Sequence, residues 1–223
     1  MAESQMNVTI PGFVILCGTQ GQGKSHVIRY LMYLNRKRFD YGIVFTNTDF
    51  SGLSGFDYID KRFVHPKYNE AALVNLKNIQ KKAIESGKSP SAFVIFDDCL
   101  FGNQWRSKEF QSLMTQLRHY RVTVIISTQY PQKIPPLFRE QTFQAIMFRP
   151  KVLRAINAQF ESFGSDFNNV NEFKKFIIEH TTAKYQFVFF DATSDGDTIE
   201  SRFAVMKAPA NIPKFTDKFS ANK

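Results

Sequence analysis

Phe13-Val14-Ile15-Leu16-Cys17-Gly18-Thr19-Gln20-Gly21-Gln22-Gly23-Lys24-Ser25-His26 is the stretch whose reading decides the fold. Five apolar residues run into a glycine-rich turn. The turn runs into a segment where Val27, Ile28, Leu31 and Met32 recur at helical spacing. That order of strand, loop and helix gives meaning to the string G-x-x-x-x-G-K-S between Gly18 and Ser25. Glycines let the loop turn its backbone N–H groups inward, and the helix N-terminus adds a partial positive charge, so the segment is built to cradle phosphate oxygens. Lys24 is placed to reach the β- and γ-phosphates of a nucleotide, and the Ser25 hydroxyl to ligate Mg²⁺. Gly18, Thr19, Gln20, Gly21, Gln22, Gly23, Lys24, Ser25 and His26 are the expected nucleotide-binding residues.

Such a loop needs carboxylates to complete a metal site. Phe93-Val94-Ile95-Phe96-Asp97-Asp98 offers a buried strand with two of them where the chain leaves the sheet. Asp97 is the expected Mg²⁺ contact, directly or through water, and Asp98 the group that positions or deprotonates an attacking water. Many nucleotide hydrolases place Glu at the second position. The shorter Asp98 needs a shifted backbone or an intervening water to act there, and a residue that merely starts a turn or helix is the alternative. A third run, Val122-Thr123-Val124-Ile125-Ile126-Ser127-Thr128-Gln129, reads as a strand ending on a polar side chain. In P-loop ATPases with an additional strand between the phosphate-loop strand and the acidic strand, such a residue sits beside the γ-phosphate. Gln129 fits that sensor role, although a glutamine after a strand says little when taken alone.

The remaining apolar runs read as strands at 42–46, 145–148, 185–191 and 203–206, and helical periodicity appears at 24–35, 70–86, 108–119, 151–163 and 170–180. Strands and helices alternate, and several strands are continuously apolar. This predicts an α/β fold with a mostly parallel, doubly wound central sheet flanked by helices. The last two strands, separated by turn-rich residues 193–196, read as a C-terminal antiparallel hairpin. Residues 1–206 are expected to form one domain, and 207–223 an extended or mobile tail.

Of the 223 residues, 29 are Lys or Arg against 20 Asp or Glu, for a net charge of +9. The surplus is local, because residues 101–160 carry nine cations and two carboxylates, and six of the nine are arginines. Contact with a polyanion is one reading of that surplus and a solvated basic face the other. No long apolar stretch suggests a signal peptide or a membrane span. Cys17 and Cys99 each end an apolar run and read as buried reduced thiols of an intracellular protein, and the four histidines show no metal-binding spacing. The chain holds 24 phenylalanines; those in predicted strands read as core, whereas Phe101, Phe138, Phe215 and Phe219 are candidates for contacts with other molecules.

The phosphate loop, Phe93–Asp98, Leu117-Arg118-His119-Tyr120 leading into the Val122–Gln129 strand, and Ile134-Pro135-Pro136-Leu137-Phe138-Arg139 after it together resemble the FtsK/HerA superfamily of P-loop ATPases. Within it the chain is similar to the poxvirus-type genome-packaging ATPases of double-stranded DNA viruses. The resemblance covers roughly residues 13–150. It implies a RecA-like, additional-strand P-loop NTPase that binds ATP and Mg²⁺, forms a homo-oligomeric ring as a pentamer or hexamer, and pumps duplex DNA into a preformed capsid. The implied partners are double-stranded DNA and viral capsid or membrane vertex proteins, and the implied location is the host-cell cytoplasm at the site of viral assembly, and the virion. In such rings one subunit's arginine enters its neighbour's ATP site. Arg118 is the best carry-over for that trans arginine, with Arg139 second and Arg121 third, and a structural or DNA-facing role is open for each. Trp105, Arg106, Lys108 and Arg121 are candidate DNA contacts, and Trp105 equally a residue buried at a subunit interface.

A small-molecule or nucleoside kinase also fits the length and the phosphate loop, but no substrate pocket or arginine-bearing lid is identifiable. Asp49-Phe50-Ser51-Gly52 imitates a GTPase motif, without the Asn-Lys-x-Asp that guanine recognition needs. A DNA-binding structural protein that keeps its nucleotide site for assembly is the non-enzymatic alternative.

Overall fold

The central strands read as unbroken apolar runs because both of their faces are covered. The computed structural model describes residues 6–47, 55–100, 102–196 and 198–215. Its strands are β1 (Phe13–Cys17), β2 (Tyr41–Thr46), β3 (Val64–His65), β4 (Ala92–Asp97), β5 (Val122–Thr128), β6 (Gln144–Met147), β7 (Gln186–Asp191) and β8 (Phe203–Lys207). Among the described residues they form one sheet in the order β3-β2-β4-β5-β1-β6-β7-β8. Pairing is parallel from β3 across to β6, and antiparallel from β6 to β7 and from β7 to β8. β5 lies between β1 and β4, which is the additional-strand arrangement expected from the sequence.

Alternate residues of each strand serve opposite faces. Val14 and Leu16 pack with Val27, Ile28, Leu31 and Met32 of α1 (Lys24–Asn35). Phe13, Ile15 and Cys17 face the other layer, built from α2 (Glu70–Glu85), α3 (Lys108–Thr115), α6 (Leu153–Phe163) and α7 (Val170–Glu179). Phenylalanine carries much of that layer: Phe45 stacks on Phe96 at 5.2 Å, and Phe96 meets Phe110 at 5.3 Å. The register aligns Asp97 with Ser127 and Cys17 with both Thr128 and Met147. The carboxyl ends of β4, β5, β1 and β6 therefore share one pole of the sheet, and the phosphate loop leaves β1 there.

The helix expected over 108–119 is divided. Gln116 leaves helical backbone at φ −129° and ψ 30°, a short α4 (Leu117–Tyr120) follows, and Arg121 at φ 50° turns the chain into β5. Two further one-turn helices, α5 (Pro136–Arg139) and α8 (Ile199–Arg202), and the two-residue β3 are too short to leave a periodic pattern. β7 and β8 form the terminal antiparallel pair, connected through α8 and not by a tight turn alone. From Ala208 to Phe215 the backbone is irregular but lies against the rest of the chain: the Ala208 N–H donates to the Tyr185 carbonyl at 3.0 Å, and Phe215 stacks on Tyr58 at 4.6 Å. Phe138 and Phe215, read from the sequence as candidates for outside contacts, are thus buried on their own chain. Phe101, Phe219 and the Asp49–Gly52 segment lie outside the described residues.

Candidate nucleotide-binding site

The loop between β1 and α1 is shaped by two left-handed glycines, Gly21 at φ 79° and Gly23 at φ 89°. Gly23 has a second constraint, since a Cβ there would lie 2.8 Å from the Tyr185 ring. The Gly18 N–H donates to the Thr128 carbonyl at 3.1 Å, and the Val27 N–H to the Gly23 carbonyl at 2.9 Å, so the loop is pinned to β5 and to its own helix. Gln22 braces it across the middle. Its Oε1 accepts from the Thr19 N–H at 2.6 Å, and its Nε2 donates to the Arg149 carbonyl at the end of β6.

Five side chains converge beside this loop. Lys24, only 6% exposed, pairs its Nζ with Asp98 Oδ2 at 2.8 Å. The Ser25 hydroxyl donates to Asp97 Oδ2 at 3.0 Å, and the Ser127 hydroxyl donates to Asp97 Oδ1. Asp98 takes φ 45°, and its N–H donates to Ser127 Oγ at 3.1 Å, so the chain turns sharply as it leaves β4. That turn is the kind of backbone shift a short aspartate needs to reach the loop. Burial pushes the Asp97 carboxyl upward, the hydrogen bonds from Ser127 and Ser25 oppose it, neighbouring Asp98 adds to the rise, and Lys24 works against it. Burial likewise drives the Cys17 and Cys99 thiols upward, which makes them inert core groups.

Two buried oxygens at this pole, Thr19 Oγ1 and Asp98 Oδ1, have no hydrogen-bond partner among the described residues. Buried polar groups are rarely left so, and their presence beside a buried lysine fits a site made to receive a polar ligand. The donor set also suits Mg²⁺, a hydroxyl and a carboxylate being the hard oxygen ligands it takes while it keeps waters and phosphate oxygens. Among the described residues no group of three or more His, Cys, Asp or Glu forms an all-protein metal cage.

The other expected residues are spread more widely. Gln129 follows β5 at the same pole, half-buried, next to the Thr128 that holds Gly18. Arg118 and Arg121 belong to the opposite end, and Arg139 closes α5 on the way from β5 to β6. Arg118 is exposed in α4 with its guanidinium 5.9 Å from the Phe143 ring, and Arg121 is half-buried with Nη2 3.5 Å from Ser91 Oγ. The length of β5, about 20 Å, separates Arg118 and Arg121 from their own chain's phosphate loop. Trp105 packs on Phe110 at 5.2 Å and on Phe138 at 6.2 Å within its own chain, while Arg106 and Lys108 beside it are exposed.

Sequence reasoning missed Ser127, Gln22 as a brace, Arg149 and Tyr185. The Ser127 signal was present in the run Ile126-Ser127-Thr128-Gln129, where a serine interrupts a buried strand at the level of the acidic pair. Tyr185 left no local signal, because only the antiparallel return of β7 brings it to the loop.

Residues 13–214 match the family model described as Zonular occludens toxin (Zot). The chain belongs to the Zot family. It is 31% identical over 153 residues to uncharacterized protein 075L of Invertebrate iridescent virus 6, a match covering 66% of this chain and 58% of that protein, so the chain spans little more than half that relative. Uncharacterized protein L437 of Acanthamoeba polyphaga mimivirus is 23% identical over 220 residues, covering 93% of this chain and 77% of L437. Among solved structures, the genome packaging NTPase B204 of Sulfolobus turreted icosahedral virus 2 in complex with ATP-gammaS superposes with TM-score 0.61 at 19% identity, covering 88% of this chain and 97% of B204. The cytoplasmic domain of the Thermomonospora curvata Type VII secretion ATPase EccC gives 0.58 at 13% identity, covering 88% of this chain and 25% of EccC. The Zot-family chain thus has the P-loop NTPase fold, as its resemblance to the FtsK/HerA superfamily implied.

Proposed function

We propose that this chain is an ATP-driven translocase of double-stranded DNA that packages a viral genome into a preformed capsid, acting in a ring whose subunits hydrolyse ATP at their interfaces. One observation carries the reading: Lys24, Ser25, Asp97 and Asp98 meet at the mouth of the phosphate loop with β5 inserted between the loop strand and the acidic strand. The viral setting draws support from relatives in an iridescent virus and a mimivirus, and from the likeness in fold to a packaging NTPase.

ATP would lie in the loop with its phosphates on the inward N–H groups, and Lys24 would exchange Asp98 for the β- and γ-phosphates. Ser25 and Asp97 would hold Mg²⁺, which would neutralise charge on the bound phosphates. Release from Lys24 leaves the Asp98 carboxylate available to take the proton of the attacking water. Gln129 would sense the γ-phosphate, and a neighbouring subunit's Arg118, or Arg139 in its place, would stabilise charge on the transferred group. Exposed Arg106 and Lys108 are the favoured DNA contacts, with Trp105 and Arg121 supporting them, because pumping without sequence preference needs phosphate contacts and no base readout. Capsid or membrane vertex proteins would receive the motor.

The test is ATP hydrolysis by the assembled protein with and without duplex DNA. Stimulation that weakens as salt rises is expected. An unchanged rate, with assembly verified, would sink the coupling.

A further inference from the structure

The phosphate loop has two flanks. β4 lies two strands to one side of β1 and β7 two strands to the other, roughly 10 Å away in each direction at ordinary strand spacing. The β4 flank carries the acidic pair and draws the Lys24 ammonium toward it. A triphosphate whose γ end meets Asp98 must send its nucleoside end elsewhere, and the opposite flank is where α1 presents His26, one residue beyond the Ser25 hydroxyl.

That flank is aromatic. His26 stacks on Tyr185 with ring centroids 4.1 Å apart and planes within 24°. Both rings are half-exposed. The His26 Nε2 lies 2.8 Å from the Pro209 carbonyl, and the Ala208 N–H donates to the Tyr185 carbonyl at 3.0 Å. An open cleft of about 500 Å³, lined by Tyr30, Met206, Pro209 and neighbours, begins beside that contact. The Lys184 ammonium stands 4.9 Å from the Tyr185 ring centre.

Tyr185 also takes φ 63°, a left-handed conformation that bulky side chains rarely adopt. Glycine would satisfy that backbone without strain, so the ring itself is the reason for a tyrosine there. We propose that the stacked His26–Tyr185 pair is the seat of the nucleoside half of the triphosphate, a base stacking on the rings while the phosphates lie in the loop. The inference rests on the phosphate-loop reading and adds a residue and a recognition mode to it. Stacking on an aromatic face is tolerant of base identity, so this flank sets affinity for nucleotides as a class.

The experiment compares binding of ATP and of inorganic tripolyphosphate, each with Mg²⁺, to the wild-type chain, Tyr185→Phe and Tyr185→Gly. The glycine variant relaxes the backbone, and the phenylalanine variant keeps the ring. Tyr185→Gly should weaken ATP binding about tenfold and leave tripolyphosphate within about twofold of wild type, with Tyr185→Phe close to wild type for both. Equal loss of both ligands would mean that the ring only packs against Gly23 and would overturn the proposal, as would no loss of either. A wild-type chain that binds neither ligand would instead remove the phosphate-loop reading, and this inference with it.

Discussion

The two flanks of the phosphate loop are built on different principles. On the β4 side, three charged groups share a small buried volume: Lys24 at 6% and Asp97 at 2% exposure, with Asp98 against them. On the β7 side, two aromatic rings meet by stacking and remain half-exposed. Buried charges interact strongly and change their balance when a phosphate or a proton arrives, which suits chemistry. Stacked rings contribute mostly contact area, which suits holding a substrate in ground and transition states alike. Substitutions on the first flank should therefore act on kcat, and those on the second on affinity.

The sharpest break is Lys24→Ala. It removes the phosphate-reaching cation and leaves Asp98 unpaired, and turnover should fall by about a thousandfold or more. Phosphate release measured at saturating ATP checks this, and a wild-type rate of release by the variant would remove hydrolysis from this site. Asp98→Asn is the finer test. It should lower kcat by roughly a hundredfold or more while ATP binding persists, so a single-turnover assay beside an equilibrium titration separates the two effects. Loss of binding with unchanged turnover per bound ATP would place Asp98 among the substrate-holding groups and erase the contrast between the flanks.

The smallest effect concerns stability. Burial holds the Asp97 carboxyl above the ordinary range, so the folded chain binds that proton more tightly than the unfolded chain does. Stability from this group is greatest below the ordinary carboxylate pKa, declines as pH rises through the window up to the raised value, and is lowest at neutral pH. Asp97→Asn removes that cost. The Tm of nucleotide-free, Mg²⁺-free protein should rise by a few degrees at pH 7, at about 2–4 °C per kcal/mol for a chain of this size, and the difference should shrink in acid. Thermal melts across pH measure it, and a lower Tm for the variant at neutral pH would show that the Ser25 and Ser127 hydrogen bonds outweigh desolvation.

The β4 flank was legible in the sequence because each of its parts is local. The glycine spacing marks the loop, the apolar run before Asp97 marks a buried strand, and carboxylates at its end mark the pole. β1, β5 and α1 matched the apolar pattern closely, since long periodic segments bury a defined face. The break at Gln116 was not legible, because Leu117 keeps the helical spacing while the backbone departs from it. Nor was the fate of Phe215, whose seat on Tyr33 and Tyr58 is made by a segment far away in sequence.

What the linear order of residues determined by itself is the chemistry at the carboxyl ends of β1 and β4: a glycine loop, a lysine, a serine and two aspartates, whose spacing alone places them on strand ends and a helix start. What only the tertiary structure decided is which distant groups complete that site. Ser127 enters because parallel register sets it opposite Asp97. Arg149 enters because β6 ends beside the loop, and Tyr185 because β7 runs back antiparallel. Local spacing encodes contacts made within a turn or a strand end, whereas contacts across a sheet depend on strand order, which hydrophobic burial selects for the chain as a whole.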